Sequence, residues 1–306
     1  MTYASGGTIE AVDYNGFVAS VNALWGVGSG DSGYGQSTTL STVTAASSTV
    51  TATQWSDLIA RINSLRNHQT AGGTGSGITQ PSAGNTITYL STMSSQISTA
   101  TTNRLLNAGD GNGVNIAGGT ITLSNATGFT VTRTQEFSLT FASYNQMRYF
   151  FNTGGQVTIT ALNSSLSGNT KSTDWQALAA AFGTTYIYAQ TSAKVGGSGT
   201  LNTNNTNAGF YDLTATDTLV MRQYSTTATG GYTSNYISSY ARLNVAHASS
   251  PTVIYLKIVF QDDSADADAA DTVSGTARTD VSALPSGITY IANVWGAVTG
   301  ANTVNT

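Results

Sequence analysis

Residues 253–260 read VIYLKIVF, with Ile254, Leu256, Ile258 and Phe260 alternating with Val253, Tyr255, Lys257 and Val259. Apolar side chains at every second position put one face of an extended strand against a core. The run is far shorter than the ~20 apolar residues of a membrane helix. Working outward, the same period of two governs the chain from about residue 114. It recurs in Ile121 and Leu123, Phe129 and Val131, then Phe137, Leu139 and Phe141. It continues in Val157, Ile159 and Ala161, in Leu219 and Met221, in Ala241, Leu243 and Val245, and finally in Ile288, Tyr290, Ala292 and Val294. Gly, Asn and Ser clusters separate most of these runs, which predicts antiparallel sheets and most simply a sandwich. One helix is expected among them. Trp175, Leu178, Ala179 and Phe182 would line its inner face, Thr173 or Asp174 would cap it, and Gly183 falls where a C′ glycine belongs.

The N-terminal part has a different period. Tyr14, Phe17, Val18, Val21, Leu24 and Trp25 share one face of a helix expected over about 9–25, with Thr8 as N-cap. Trp55, Leu58, Ile59, Ile62 and Leu65 do the same over about 53–67, with Thr53 as cap. Each apolar face carries a Trp, so the two helices are expected to pack together. Leu90, Met93, Ile97 and Leu105 suggest a further helix, although its many Ser and Thr residues lower helix propensity. The expected fold class is therefore α+β, a helical N-terminal region followed by a mainly antiparallel β-sandwich-like domain. Its divisions are a helical hairpin at 1–70 for docking or oligomerisation, a Gly/Ser-rich connector at 71–112 and a β-rich domain at 113–306.

Composition narrows the function. Among 306 residues only 8% are charged, against roughly 25% in average soluble domains. Yet 40% are apolar, far from the profile of a disordered chain. Eleven Lys and Arg dispersed along the sequence form neither a nucleic-acid stripe nor a polybasic membrane patch. No cysteine is present to form a disulfide or a thiolate metal site. The start of the chain lacks the basic and apolar regions of a secretory signal.

Each motif that hints at chemistry has a plainer reading. GSGDSG at 28–33 matches the dinucleotide fingerprint by letter, but it follows a helix and lies outside any βαβ unit, so a tight loop is expected. The histidines are His68 and His247, and no G-x-S-x-G elbow accompanies the many serines. Glu10 and Glu136 are the only glutamates, a poor supply for the paired carboxylates of a glycosidase. Asp262, Asp263, Asp266, Asp268 and Asp271 offer oxygen ligands for Ca²⁺. They lack the glycine and terminal glutamate of an EF-hand, so the simpler reading is a solvated acidic loop. GDGNG, around Asp110 and Asn112, reads as a turn. Tyr186 with Tyr188, and Tyr236 with Tyr240, share strand faces that suit sugar stacking, but core or subunit-interface packing is the commoner fate of such residues. No catalytic or cofactor-binding residue is assigned. Tyr14, Phe17, Trp25, Tyr34 and Trp55 are the assembly candidates.

Several blocks of the chain have a recognisable style. They are TIEAVDYNGFVASVNALWGVGSGDSGYGQ, TATQWSDLIARINSLRNHQTAG, YNQMRYFFNTGGQVTITA and ARLNVAHASSPTVIYLKIVFQDD with DTVSGT. Together they resemble virion structural proteins of tailed bacteriophages, notably those infecting cyanobacteria. The resemblance rests on Asp13-Tyr14-Asn15, Gly33-Tyr34-Gly35-Gln36, Gln54-Trp55, His68-Gln69, Phe150-Phe151-Asn152 and Gly154-Gly155. It implies a non-enzymatic, homo-oligomeric component without a cofactor, assembled in the host cytoplasm with other virion proteins. Head decoration, neck or collar, tail and baseplate all fit. The alternative is a tail or fibre protein that recognises host surface glycans, and a polysaccharide depolymerase stands third.

Overall fold

A computed structural model describes residues 10–44, 49–70, 75–80, 90–106, 119–164, 170–190, 197, 202–205, 207–225, 234–263, 272–288 and 290–306. The chain is α+β, with five helices and ten strands among those residues. It divides into two compact units. The helical unit comprises Met1–Asn112 together with Arg148–Gly154 and Ser286–Trp295, and the β-rich unit comprises the rest. Two segments within the expected β-rich stretch thus group with the helices.

In the helical unit, α1 (Ala11–Trp25), α2 (Ala52–Gln69) and α3 (Leu90–Thr102) pack together around one core. The apolar stripes of α1 and α2 are buried as their spacing requires, and Met93, Ile97 and Ala100 of α3 join them. The Trp55 ring meets Tyr14 edge-on with centroids 5.3 Å apart and Phe17 at 6.5 Å. The caps differ from expectation. Glu10 is the N-cap of α1, its N–H donating to Asp13 Oδ2 at 3.2 Å, whereas Thr8 lies outside the described residues. Thr51, not Thr53, caps α2, because Gln54 closes a reciprocal capping box with it.

The β-rich unit contains two antiparallel sheets. The first has the order β1 (Ile121–Asn125), β9 (Thr276–Leu284), β3 (Gln156–Ser164), β4 (Thr184–Ile187). The second runs β10 (Val298–Asn305), β2 (Thr132–Phe141), β8 (Val253–Gln261), β7 (Tyr236–Leu243), β6 (Thr218–Tyr224), β5 (Asn202–Asn204). Ile254, Leu256, Ile258 and Phe260 of β8 point inward beside Phe137, Leu139 and Phe141 of β2. A polar bridge crosses this interior where Thr279 Oγ1 of β9 donates to Gln135 Oε1 of β2 at 2.6 Å. At one corner β10 approaches β1 so closely that a Cβ on Gly300 would lie 1.8 Å from Ile121 Cδ1. A larger residue there would push the Ile121 side chain aside.

Two helices accompany the sheets. α5 (Thr170–Phe182) starts earlier than expected, so Thr173 and Asp174 lie inside it rather than at its cap. Gly183 ends it at φ +60°, with its N–H bonded to Ala179 O. α4 (Tyr144–Asn152) was not expected, and its second half belongs to the helical unit. Residues 288–294 were expected to form a strand, and the described ones, 288 and 290–294, do not. Tyr290 is exposed while Ile291 and Trp295 are buried, so the alternating set is not the buried set. Phe129 makes only an isolated bridge with Val273, and Val131 is exposed. No helix among the described residues is long and apolar enough to cross a membrane.

Candidate functional site

Among the described residues, the outward face of the six-stranded sheet carries a dense group of tyrosines and charged side chains. Strand register assembles it. Glu136 of β2 lies opposite Lys257 of β8, which lies opposite Tyr240 of β7. One row along, Tyr255 of β8 pairs with Arg242 of β7. On the other side Arg222 of β6 pairs with Ser238, and Tyr224 with Tyr236. These positions alternate with the buried residues of each strand, so the pleat that makes the core also gathers this face. All except Ser238 are half-buried.

Their contacts form a continuous lattice. Arg222 donates to Ser238 Oγ at 2.8 Å, Tyr240 Oη at 3.3 Å and Tyr224 Oη at 3.4 Å, and its guanidinium lies 4.3 Å from the Tyr236 ring centroid. Arg242 donates to Glu136 at 3.0 Å, pairs with Asp217 at 3.1 Å and sits 4.0 Å over Tyr255. Lys257 also pairs with Asp217 and lies 4.8 Å over Tyr240. Burial alone would lower the pKa of Arg222, but its hydrogen bonds to Tyr224 and Tyr240 raise it above the ordinary value. Burial raises the phenol of Tyr236, with Arg222 opposing. The result is a face of tyrosines and paired charges in which Tyr236, Tyr240 and Tyr255 each carry a cation over one side of the ring.

The other sequence candidates lie elsewhere. Tyr14, Phe17, Trp25, Tyr34 and Trp55 are all buried in the helical core, where they pack against their own unit. The GSGDSG loop is a structural turn, as expected. Gly33 has φ +97°, and a Cβ there would lie 2.3 Å from Val27 O. Its neighbours Val27 and Ser32 offer carbonyls to Arg148 Nη2 at 3.2 and 2.7 Å, and Gly33 O accepts from Asn152 at 2.8 Å. Asp31 is held by Arg104. Backbone carbonyls facing an arginine are the reverse of a pyrophosphate cradle, which needs N–H groups.

His68 is buried, with Nε2 2.9 Å from Thr153 O. Burial pushes its pKa down to about 4, against the opposing pull of backbone groups at Thr153 and Ile288. His247 lies between Tyr144 Oη at 3.1 Å and Phe210 O at 3.0 Å, stacked on Tyr211. Burial lowers its pKa too, with the Phe210 carbonyl and Asp212 opposing. Tyr186 and Tyr188 stack with centroids 6.1 Å apart.

The acidic stretch does not gather as a cation site among the described residues. Asp262 is buried in an ion pair with Lys171 at 2.6 Å, and Asp263 accepts from Gln261 at 2.8 Å. Asp266, Asp268 and Asp271 lie outside the described residues, as do Asp110 and Asn112 of GDGNG. Among the described residues no three carboxylate or imidazole groups converge as metal ligands.

The sequence reading identified Tyr236 and Tyr240 but missed Arg222, Arg242, Tyr255 and Glu136. The outward alternation in β8 and its neighbours was the available signal. Comparison with protein-family models, with curated proteins and with solved structures finds no match.

Proposed function

We propose that the chain is a non-enzymatic structural component of a bacteriophage virion, assembling with copies of itself and with other virion proteins. The outward face of β6, β7, β8 and β2 is the contact surface in this reading. The observation that supports it is the lattice of Arg222, Arg242 and Lys257 over Tyr236, Tyr255 and Tyr240. Tyrosine and arginine are the residues enriched at protein interfaces and their energetic centres. The paired charges leave hydrogen-bonding groups without a strong net field, which suits a neutral, close-packed neighbour. The sequence resemblance supplies the phage context.

The test is quantitative mass spectrometry of purified particles, followed by incorporation of an Arg222→Ala, Tyr240→Ala variant. A fixed copy number for the natural chain and loss of incorporation for the folded variant are expected. Absence of the chain from purified particles would end this reading.

Host-glycan recognition is the second reading, favoured by the number of tyrosines on one sheet face. The cations over Tyr236, Tyr240 and Tyr255 weigh against it, since each occupies a ring face that a sugar would use. Saturable binding on a glycan array, abolished by Tyr240→Ala, would favour it over assembly.

A further inference from the structure

The β-rich unit holds a lysine and an aspartate in its interior, and periodicity places them there. On α5, Lys171, Trp175, Leu178 and Phe182 follow at helical spacing and are all buried. On β8 the inward series Ile254, Leu256, Ile258 and Phe260 continues at the same step of two to Asp262. The two charged side chains therefore occupy positions that the patterns reserve for apolar residues. Their side chains are 1% and 0% exposed, with Lys171 Nζ 2.6 Å from Asp262 Oδ2. Asp174, also buried, lies three residues along α5 from Lys171 on the same face.

Aromatic rings and backbone contacts hold the surroundings in place. Trp175 packs against Phe129 at 5.1 Å and Phe260 at 6.3 Å. The Asp262 N–H donates to Val131 O at 2.7 Å. Beside Lys171, Ser172 Oγ lies 2.7 Å from Ser274 Oγ and accepts from the Ser274 N–H at 3.0 Å. Asp262 is thus held by its backbone, and Lys171 by its place in the first turn of α5.

We propose that Lys171 and Asp262 condense to an intramolecular isopeptide bond, a covalent cross-link between α5 and the end of β8. This inference is independent of the assembly reading. Desolvation opposes a buried ion pair, and a proton passed from ammonium to carboxylate leaves a neutral amine beside a carboxylic acid. The Nζ lone pair attacks Cγ of Asp262, forming the C–N bond. The C–O bond to the hydroxyl then breaks, and the Asp174 carboxyl relays the amine proton to the leaving oxygen. One water is released, Asp174 ends unchanged, and no oxidant or metal is required. Fixed contact supplies the effective concentration that two free groups in water lack, and the product amide carries no buried charge.

The experiment is intact-mass measurement of the purified, denatured full chain. The expected mass is that of the sequence less one water, and tandem mass spectrometry should give a branched peptide joining the Lys171 and Asp262 segments. Acylated Lys171 should also resist trypsin. The full sequence mass would overturn the proposal, as would a water loss that persists in Lys171→Arg. The branched peptide of the natural chain decides the matter even where Lys171→Arg fails to fold. Asp174→Asn should keep the full mass while retaining its near-ultraviolet circular dichroism; complete cross-linking in that variant would remove Asp174 from the relay.

Discussion

The two units place most of their polar side chains differently. In the helical unit, long connections between helices leave backbone groups that no ladder can pair, and Asn and Gln side chains supply the partners. Asn15 both donates to and accepts from the backbone of Val43, and Asn22 does the same for Leu40. Gln36 reaches Ala292 O, Gln69 reaches Ala100 O, and Asn152 reaches Gly33 O. In the β-rich unit the ladders pair the backbone, leaving polar side chains on the outer face to contact one another. The helical unit uses its amides chiefly as stitches, and the β-rich unit, which has such stitches at Asn205, Asn235 and Asn244, also spreads polar residues over a sheet face.

The largest test of this contrast removes a core ring rather than a stitch. Trp55→Ala deletes the residue that touches both Tyr14 and Phe17, and should cost about 3–5 kcal/mol in the helical unit. Chemical denaturation followed by far-ultraviolet circular dichroism would measure it. A loss under about 1 kcal/mol would mean that the site is not close-packed.

The next is a pH effect on His68. Because its folded pKa is depressed from 6.5 to about 4, the neutral ring's contribution is complete above pH 6.5 and is lost as pH falls toward 4. That gap corresponds to about 3 kcal/mol at roughly 1.4 kcal/mol per pH unit. A His68→Gln variant should have a flatter stability profile between pH 6.5 and 4, read from denaturation midpoints. An unchanged slope would assign the acid sensitivity to other groups.

Removing a stitch comes third. Asn152→Ala leaves Gly33 O without its donor in a buried setting and should cost about 1–3 kcal/mol. Arg222→Lys on the sheet face should cost less than about 1 kcal/mol, because exposed and half-exposed polar pairs contribute little to folding. Thermal shifts of the two variants side by side would check their order. A larger effect at Arg222 would mean that the outer lattice holds the sheet together.

The legibility of the sequence follows the same division. The stripes on α1 and α2 are wide and made of large apolar residues, so their period was plain. Strand β9 was not seen because its inward residues are Ala277, Thr279, Val281 and Ala283, too small or too polar to stand out. Strand β10 is exposed over most of its length and has little apolar alternation to read. Helix α4 hides in YNQMRYFFN, where buried Met147, Phe150 and Phe151 have helical spacing but stand between strong strands. Alternation at 288–294 misled because a period of two needs a partner strand, and the buried Ile291 lies out of its phase.

The candidate face was only half legible for a related reason. Tyr236 and Tyr240 stand on one strand and reveal themselves locally. Arg222, Arg242, Tyr255 and Glu136 reach them through pairing across β6, β7, β8 and β2, and register between strands is a tertiary property. The residues behind the phage resemblance tell a complementary story. Tyr14, Asn15, Gln54, Trp55, His68, Gln69 and Asn152 are core rings, caps and stitches of the helical unit, so that style records how the unit is held together.

The divided membership of the helical unit has a consequence for synthesis. Ile291 belongs to its core, and Trp295 meets Phe150 at 6.2 Å. A ribosome releases these residues only after every helix and nearly every strand has emerged. Domains generally fold as units as the chain is made, but this one must wait for its last pieces. Its core is therefore complete only once residue 295 has left the ribosome.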